Sequence, residues 1–214
     1  EKNIIKNKCA FISKLTIKKI SHLLHFPFYL KNLVKLYNQD ILPETKAELF
    51  QKLIEDNLKV AISKYNKKSI SKITNRNIKK ITVQLTRLAI VMVLCNKNHI
   101  DDDEYGEIIK GKEIRDLLQH ILIQNFIDGE SVCWQFELLS FQEYLAAKYI
   151  STFSFEKIQT IITYKSSDII QPIFINTLTL VVSIWMDKSS NKIQKLLDWL
   201  DETKQVNIIF QFES

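Results

Sequence analysis

Glycine and proline are scarce, with three of each in 214 residues. The glycines are Gly106, Gly111 and Gly129; the prolines are Pro27, Pro43 and Pro172. Sandwiches, barrels and propellers need many turns built from these residues, so those folds are excluded. A dinucleotide-binding G-x-G-x-x-G would need all three glycines within about six residues, and they are not so placed. Cysteine is equally sparse. Cys9, Cys95 and Cys133 are odd in number, far apart and without a CxxC pair, so neither a disulfide framework nor a zinc site is expected. A reducing, cytoplasmic setting fits this usage. Long apolar runs are missing as well. Residues 169–186 come nearest, but Gln171, Pro172 and Asn176 interrupt them, and the clean part is short of the ~20 residues a span requires. No membrane contact is expected. Residues 1–10 hold three lysines and no apolar core, so no cleavable signal is visible. The chain starts at Glu1 rather than Met, which points to processing or to a piece of a longer protein.

What is present is ordinary globular material, 46% hydrophobic and 25% charged. The net charge of +6 hides an asymmetry. Residues 1–80 carry 18 Lys and Arg against 6 Asp and Glu, whereas residues 81–214 carry 12 against 18. A basic half suits nucleic acid or an anionic surface. It equally suits solvated helix faces, because the lysines are interleaved with apolar residues.

The apolar period is helical over most of the chain. Phe11, Leu15, Ile20, Leu23 and Leu24 predict a helix over residues 10–24, stopped or restarted by Pro27. Phe28–Tyr37 reads as a second helix. Thr45-Lys46-Ala47-Glu48 is a capping box opening a long helix. Lys64–Asn77 is polar and reads as a linker or seam. Ile78, Ile81, Leu85, Leu88, Met92 and Cys95 alternate spacings of three and four, which predicts one strong amphipathic helix. Asp101–Glu104 can cap the next short helix, and Ile114–Leu122 forms another. The period then changes. Residues 125–136 read as a hairpin about Asp128-Gly129, a favoured turn pair. Alternation puts Trp134 and Phe136 on one face, to pack on Phe141 and Leu145, and Cys133, Gln135 and Glu137 on the other. Ser140-Phe141-Gln142-Glu143 reads as a second capping box, launching a helix over Phe141–Ile150. Residues 169–186 and Ile193–Leu200 supply two further helices.

Candidate sites are few. Gly106–Lys112 matches G-x-x-x-x-G-K, but Glu113 stands where Ser or Thr should ligate Mg²⁺, and no apolar strand precedes it. His22, His25, His99 and His120 stand in no ligand spacing. Asp101–Glu104 are adjacent in sequence and do not converge on a cation; a solvated capping turn is the expected role. Ser140 lacks the context of a nucleophile. No catalytic residue and no metal site is assigned.

Two strings carry a resemblance. Phe136-Glu-Leu-Leu-Ser-Phe-Gln-Glu-Tyr-Leu-Ala-Ala147, followed by Lys148-Tyr149-Ile150, resembles the F-x-H-x-S-F-Q-E-Y-L-A-A-x-Y signature that follows the nucleotide-binding domain of NACHT-type NTPases, of the STAND class of signalling ATPases. His25-Phe-Pro-Phe-Tyr-Leu30 and Leu42-Pro-Glu-Thr-Lys-Ala-Glu-Leu-Phe50 are similar to that family's P-F-x-L and L-P-x-T-x-A-E-L stretch, in the same order and separation. The resemblance covers about residues 20–150. It implies the regulatory arm of such an ATPase, with the Walker A and B segments in an upstream nucleotide-binding domain. In the family this arm closes over ADP and opens on activation to allow homo-oligomer formation. ATP or ADP is thus the cofactor of the full-length protein. The family's helical-domain proline lies near the adenine, and Pro27 matches it. The family's phosphate-contacting histidine is matched by Leu138, a departure, since leucine donates no hydrogen bond. Phe136, Ser140, Phe141, Glu143, Tyr144 and Ala147 match the rest of the signature.

The expected architecture is therefore mainly α: a helical domain over residues 1–72, a winged-helix domain with one small hairpin over 73–152, and the start of a helical repeat over 153–214. Two other functions fit the same elements. A winged helix can bind nucleic acid through a recognition helix and a wing, although Asp128, Glu130 and Glu137 make this wing acidic. A plain helical scaffold would differ from the arm in lacking any coupling to nucleotide.

Overall fold

The structure is a computed structural model that describes residues 8–17, 20–68, 78–118, 123–128, 131–163, 170, 174–186 and 190–203. The protein is mainly helical with a small antiparallel sheet. Among the described residues no helix is long and apolar enough to cross a membrane. The chain divides into two compact units, Glu1–Leu53 and Ile54–Ser214.

The first unit holds α1 (Lys8–Ile17), a 3-10 helix (Ser21–His25), α2 (Pro27–Tyr37) and the opening turns of α3 (Lys46–Lys68). The continuous helix expected over residues 10–24 is broken in two. The apolar period survives the break, because Ile20 N–H reaches back to Leu15 O at 3.1 Å and keeps Ile20 and Leu23 in the core. Pro27 then occupies the first position of α2, where its missing N–H costs nothing, and Phe26 before it is extended. The turn after α2 closes on Asp40, with φ 57°, and Ile41 N–H bonds to Leu36 O at 3.0 Å. That is a Schellman closure, with Asp where glycine is usual. Phe11, Leu15, Leu33, Leu49 and Phe50 form the core. The Thr45 box closes as expected at one end: Glu48 N–H donates to Thr45 Oγ1 at 3.2 Å, while the Glu48 carboxylate accepts from Glu44 N–H at 2.7 Å.

The second unit centres on α4 (Ile78–Leu94) and α7 (Leu139–Ile150), which pack against each other; α9 (Ile175–Trp185) packs on α7, and α10 (Ser190–Glu202) on α9 and α8 (Phe155–Ile162). Between α4 and α7 the chain forms β1 (Ile100–Asp101), α5 (Asp102–Ile108), α6 (Lys112–Leu118), β2 (Ile123–Asp128) and β3 (Ser131–Phe136). The hairpin is present and longer than its sequence signal, with Asp128 paired to Ser131 and Ile123 to Phe136. β1 is an addition: two residues pair antiparallel to β3, Ile100 with Trp134 and Asp101 with Cys133, giving the order β1-β3-β2. α4 also ends in a Schellman closure, on Asn96 with φ 52° and Lys97 N–H to Met92 O at 2.8 Å. The polar stretch from Lys64 is helical to Lys68; its residues 69–77 lie outside the described residues, as do 119–122 of the helix expected at 114–122, 129 and 130 of the turn, His120, and most of 164–173.

Candidate functional site

The strings of family resemblance fall in both units. In the first, Pro27 is exposed at the start of α2, beside Phe26, which is 57% exposed. Tyr29 links this end of α2 to the core, edge-on to Phe26 at 5.7 Å and to Phe50 at 5.8 Å.

In the second unit the signature becomes the join of β3 to α7. Leu138 is half-buried and extended, with φ −130° and ψ 132°, and it is the N-cap of α7. Phe141 N–H donates to Leu138 O at 3.0 Å. The helix expected to start at Phe141 starts two residues earlier, at Leu139. Ser140 lies within its first turn, and the N-cap residue Leu138 has no side-chain cap to offer. The Glu143 carboxylate accepts from Asn176 Nδ2 of α9 at 2.9 Å. The first turn of α7 carries no acidic residue.

The remaining signature residues hold the α4–α7–α9 stack. Phe136, Phe141, Tyr144, Ala146 and Ala147 are buried. The alanines leave no side chain beyond Cβ, so the helices can approach closely. Gln142 is buried too, and its Nε2 donates to Lys97 O at 3.1 Å, in the turn that closes α4. A buried amide needs such a partner. Burial pushes the Tyr144 hydroxyl well above the usual tyrosine range.

A second cluster was not legible in the sequence. Trp134 stacks on Tyr105 of α5, with centroids 4.4 Å apart and planes 15° off parallel, and its indole Nε1 donates to Asp102 Oδ1 at 2.8 Å. The sequence signal could name Trp134 as core but not its partner 29 positions away, because stacking leaves no periodic trace. Asp101 accepts from Glu104 N–H at 2.8 Å and caps α5 as expected. Glu104 pairs with Lys97, whose pKa is raised by that hydrogen bond first. Asp101, Asp102 and Glu104 thus have separate tasks. Cys133, on the face of β3 opposite Trp134 and Phe136, is buried as well. β3 is the middle strand, and Cys133 lies across from Asp101 of β1, on the wall of a cavity of about 470 Å³ that Lys97, His99 and Glu104 also line. Tyr105 has its hydroxyl buried without a hydrogen-bond partner, and burial pushes its pKa up.

The P-loop-like string is divided between two helices. Gly106 lies inside α5, and Gly111, with φ +98°, makes the turn into α6. That left-handed conformation is the reason for glycine there. Among the described residues no group of three or more His, Cys, Asp and Glu could hold a metal ion. Compared with known proteins, the sequence matches no family model and no curated protein.

Proposed function

We propose that this chain is the regulatory arm of a NACHT-type signalling ATPase, closing over ADP or ATP held by an upstream domain and controlling oligomerisation in defence or stress signalling. The observation that carries the reading is the conjunction of two family-like strings, in order, with the place of the second in the fold. The string Phe136–Ala147 straddles the end of β3 and the start of α7, and position 138 is the N-cap. A helix N-terminus attracts anions, and this one has no carboxylate in its first turn to repel phosphate. The element order supports the reading as well. Helix, short strand, two helices, hairpin and helix is the order of a winged-helix domain, with residues 123–136 as the wing.

Leu138 sets the character of the switch. The family's histidine donates to the nucleotide phosphate; leucine has nothing to donate. The closed, ADP-bound state lacks that contact, so the balance between closed and open forms lies further toward open. The arm itself hydrolyses nothing in this reading, having no Walker A or B segment of its own.

Nucleic-acid binding is the weaker reading. α6, the helix before the hairpin and the counterpart of a recognition helix, reads Lys-Glu-Ile-Arg-Asp-Leu-Leu, with its two cations balanced by two acids. Phosphate contacts require a cationic surplus. The test is light scattering on the full-length protein in ADP and in ATP. A larger assembly in ATP than in ADP is expected. An assembly size indifferent to nucleotide, together with salt-sensitive binding of duplex DNA by the 214-residue chain, would transfer the assignment to nucleic acid.

A further inference from the structure

α4 is buried on most of its circumference by the second unit, and its remaining stripe carries an unusual composition. Lys80, Val83, Arg87, Val91 and Leu94 are exposed, at successive spacings of three, four, four and three, so they lie on one side of the helix. Three are large apolar side chains on the outside of the molecule: Val83 is 51%, Val91 36% and Leu94 54% exposed. The stripe runs about 21 Å along the axis. α4 contains no Asp or Glu at all, so every charge on it is positive.

That pattern selects among occupants. A second copy pairing through the same stripe, antiparallel about its centre, would place Arg87 against its twin and Val83 against Val91. Arg87 would then face its twin, and like charges at contact oppose association. A stripe of one helix also offers far less than the roughly 800 Å² per partner of a standard stable interface. A single helix laid along the stripe avoids the charge clash if it brings apolar side chains for Val83, Val91 and Leu94 and carboxylates for Lys80 and Arg87, and the small footprint suits a weak, transient contact. We infer that the outward stripe of α4 is a docking site for an acidic amphipathic helix of a partner protein, with Leu or Ile at three- and four-residue spacing flanked by Glu or Asp. The inference stands apart from the nucleotide reading, since α4's stripe carries none of the family-like residues.

The test uses two labelled helical peptides of about 18 residues, five turns. Both carry leucine at i, i+3, i+4 and i+7; one is flanked by glutamates, the other by lysines. Fluorescence anisotropy with the whole chain should show the glutamate peptide binding at least about tenfold more tightly, with the preference lost at about 1 M salt. Arg87→Glu should reverse the preference between the two peptides. Val91→Ser with Leu94→Ser should weaken the glutamate peptide about tenfold or more while the salt dependence persists. All three side chains are exposed, so the fold tolerates these changes, and an unaltered helical circular dichroism spectrum verifies it. Equal binding of both peptides, binding of neither, or an unchanged preference in Arg87→Glu overturns the inference. So does displacement of the peptide by duplex DNA or by anionic vesicles, or a wild-type dimer that Arg87→Glu abolishes.

Discussion

Single residues show how a glycine-poor chain closes its helices. Asp40 and Asn96 hold left-handed conformations at helix ends where glycine is the default. A non-glycine residue gives up about 1–2 kcal/mol there, less for Asp and Asn, while glycine costs about 0.5–1 kcal/mol in unfolded-state entropy. Asp40→Gly should accordingly stabilise the first unit by up to about 0.5 kcal/mol, measured by urea denaturation; a loss above about 0.5 kcal/mol would mean the Asp40 side chain contributes something of its own. Gly111 is the converse. Nothing crowds the space a Cβ would enter, so Gly111→Ala should cost about 1–2 kcal/mol through φ alone. Trp134 separates two contributions. Trp134→Ala removes the whole buried ring and should cost about 3–5 kcal/mol. Trp134→Phe keeps an aromatic face for Tyr105 but removes the donor to Asp102, and should cost about 1–2 kcal/mol by the same measurement. Equal losses in the two variants would contradict the stacking account.

Elements were the most legible scale, and unevenly so. Helix bodies were readable because burial imposes a period: α4 was visible in the spacing Ile81, Leu85, Leu88, Met92, and all four are buried. The hairpin was readable from the loss of that period. Ends were less so. Thr45 caps α3 as its sequence suggests, whereas the identical pattern at Ser140 does not mark the start of α7, because β3 and the extended Leu138 deliver the chain into the helix at Leu139. β1 left no signal, being two residues whose pairing depends wholly on β3. The candidate site divides in the same way. The string around Leu138 was legible as a string. The Lys97–Glu104, Asp102–Trp134 and Gln142–Lys97 contacts were not, since they join residues with no common period. Caps give a direct test at this scale. Thr45→Ala and Asp101→Ala should each cost about 1 kcal/mol in thermal or urea unfolding, and a change under about 0.3 kcal/mol would show that α3 and α5 are held by packing alone.

At the scale of the whole molecule, the buried tyrosines give a testable pH dependence. Tyr105 and Tyr144 are buried in the second unit, and burial holds both hydroxyls protonated well above their ordinary range. A pKa raised on folding stabilises the protein fully below the unfolded value and loses that contribution as pH rises past it. Stability should therefore be insensitive to these groups at neutral pH and fall above pH about 10, where the unfolded chain releases tyrosine protons that the folded chain retains. Tyr105→Phe should flatten that alkaline fall; an unchanged profile would mean the hydroxyl is not held as described.

The proposed nucleotide switch also belongs to this scale, and its weak point is Leu138. In that reading a histidine there supplies the phosphate with a donor, and a charge-assisted hydrogen bond of that kind contributes about 1.5–3 kcal/mol. The measurement is ADP affinity by titration calorimetry on the full-length protein, wild type against Leu138→His. The proposed arm predicts ADP binding tightened about ten- to a hundredfold by the histidine, with less spontaneous assembly. Equal affinity and equal assembly in the two proteins would contradict it, leaving Leu138 as a half-buried residue at the start of α7 with no nucleotide in reach.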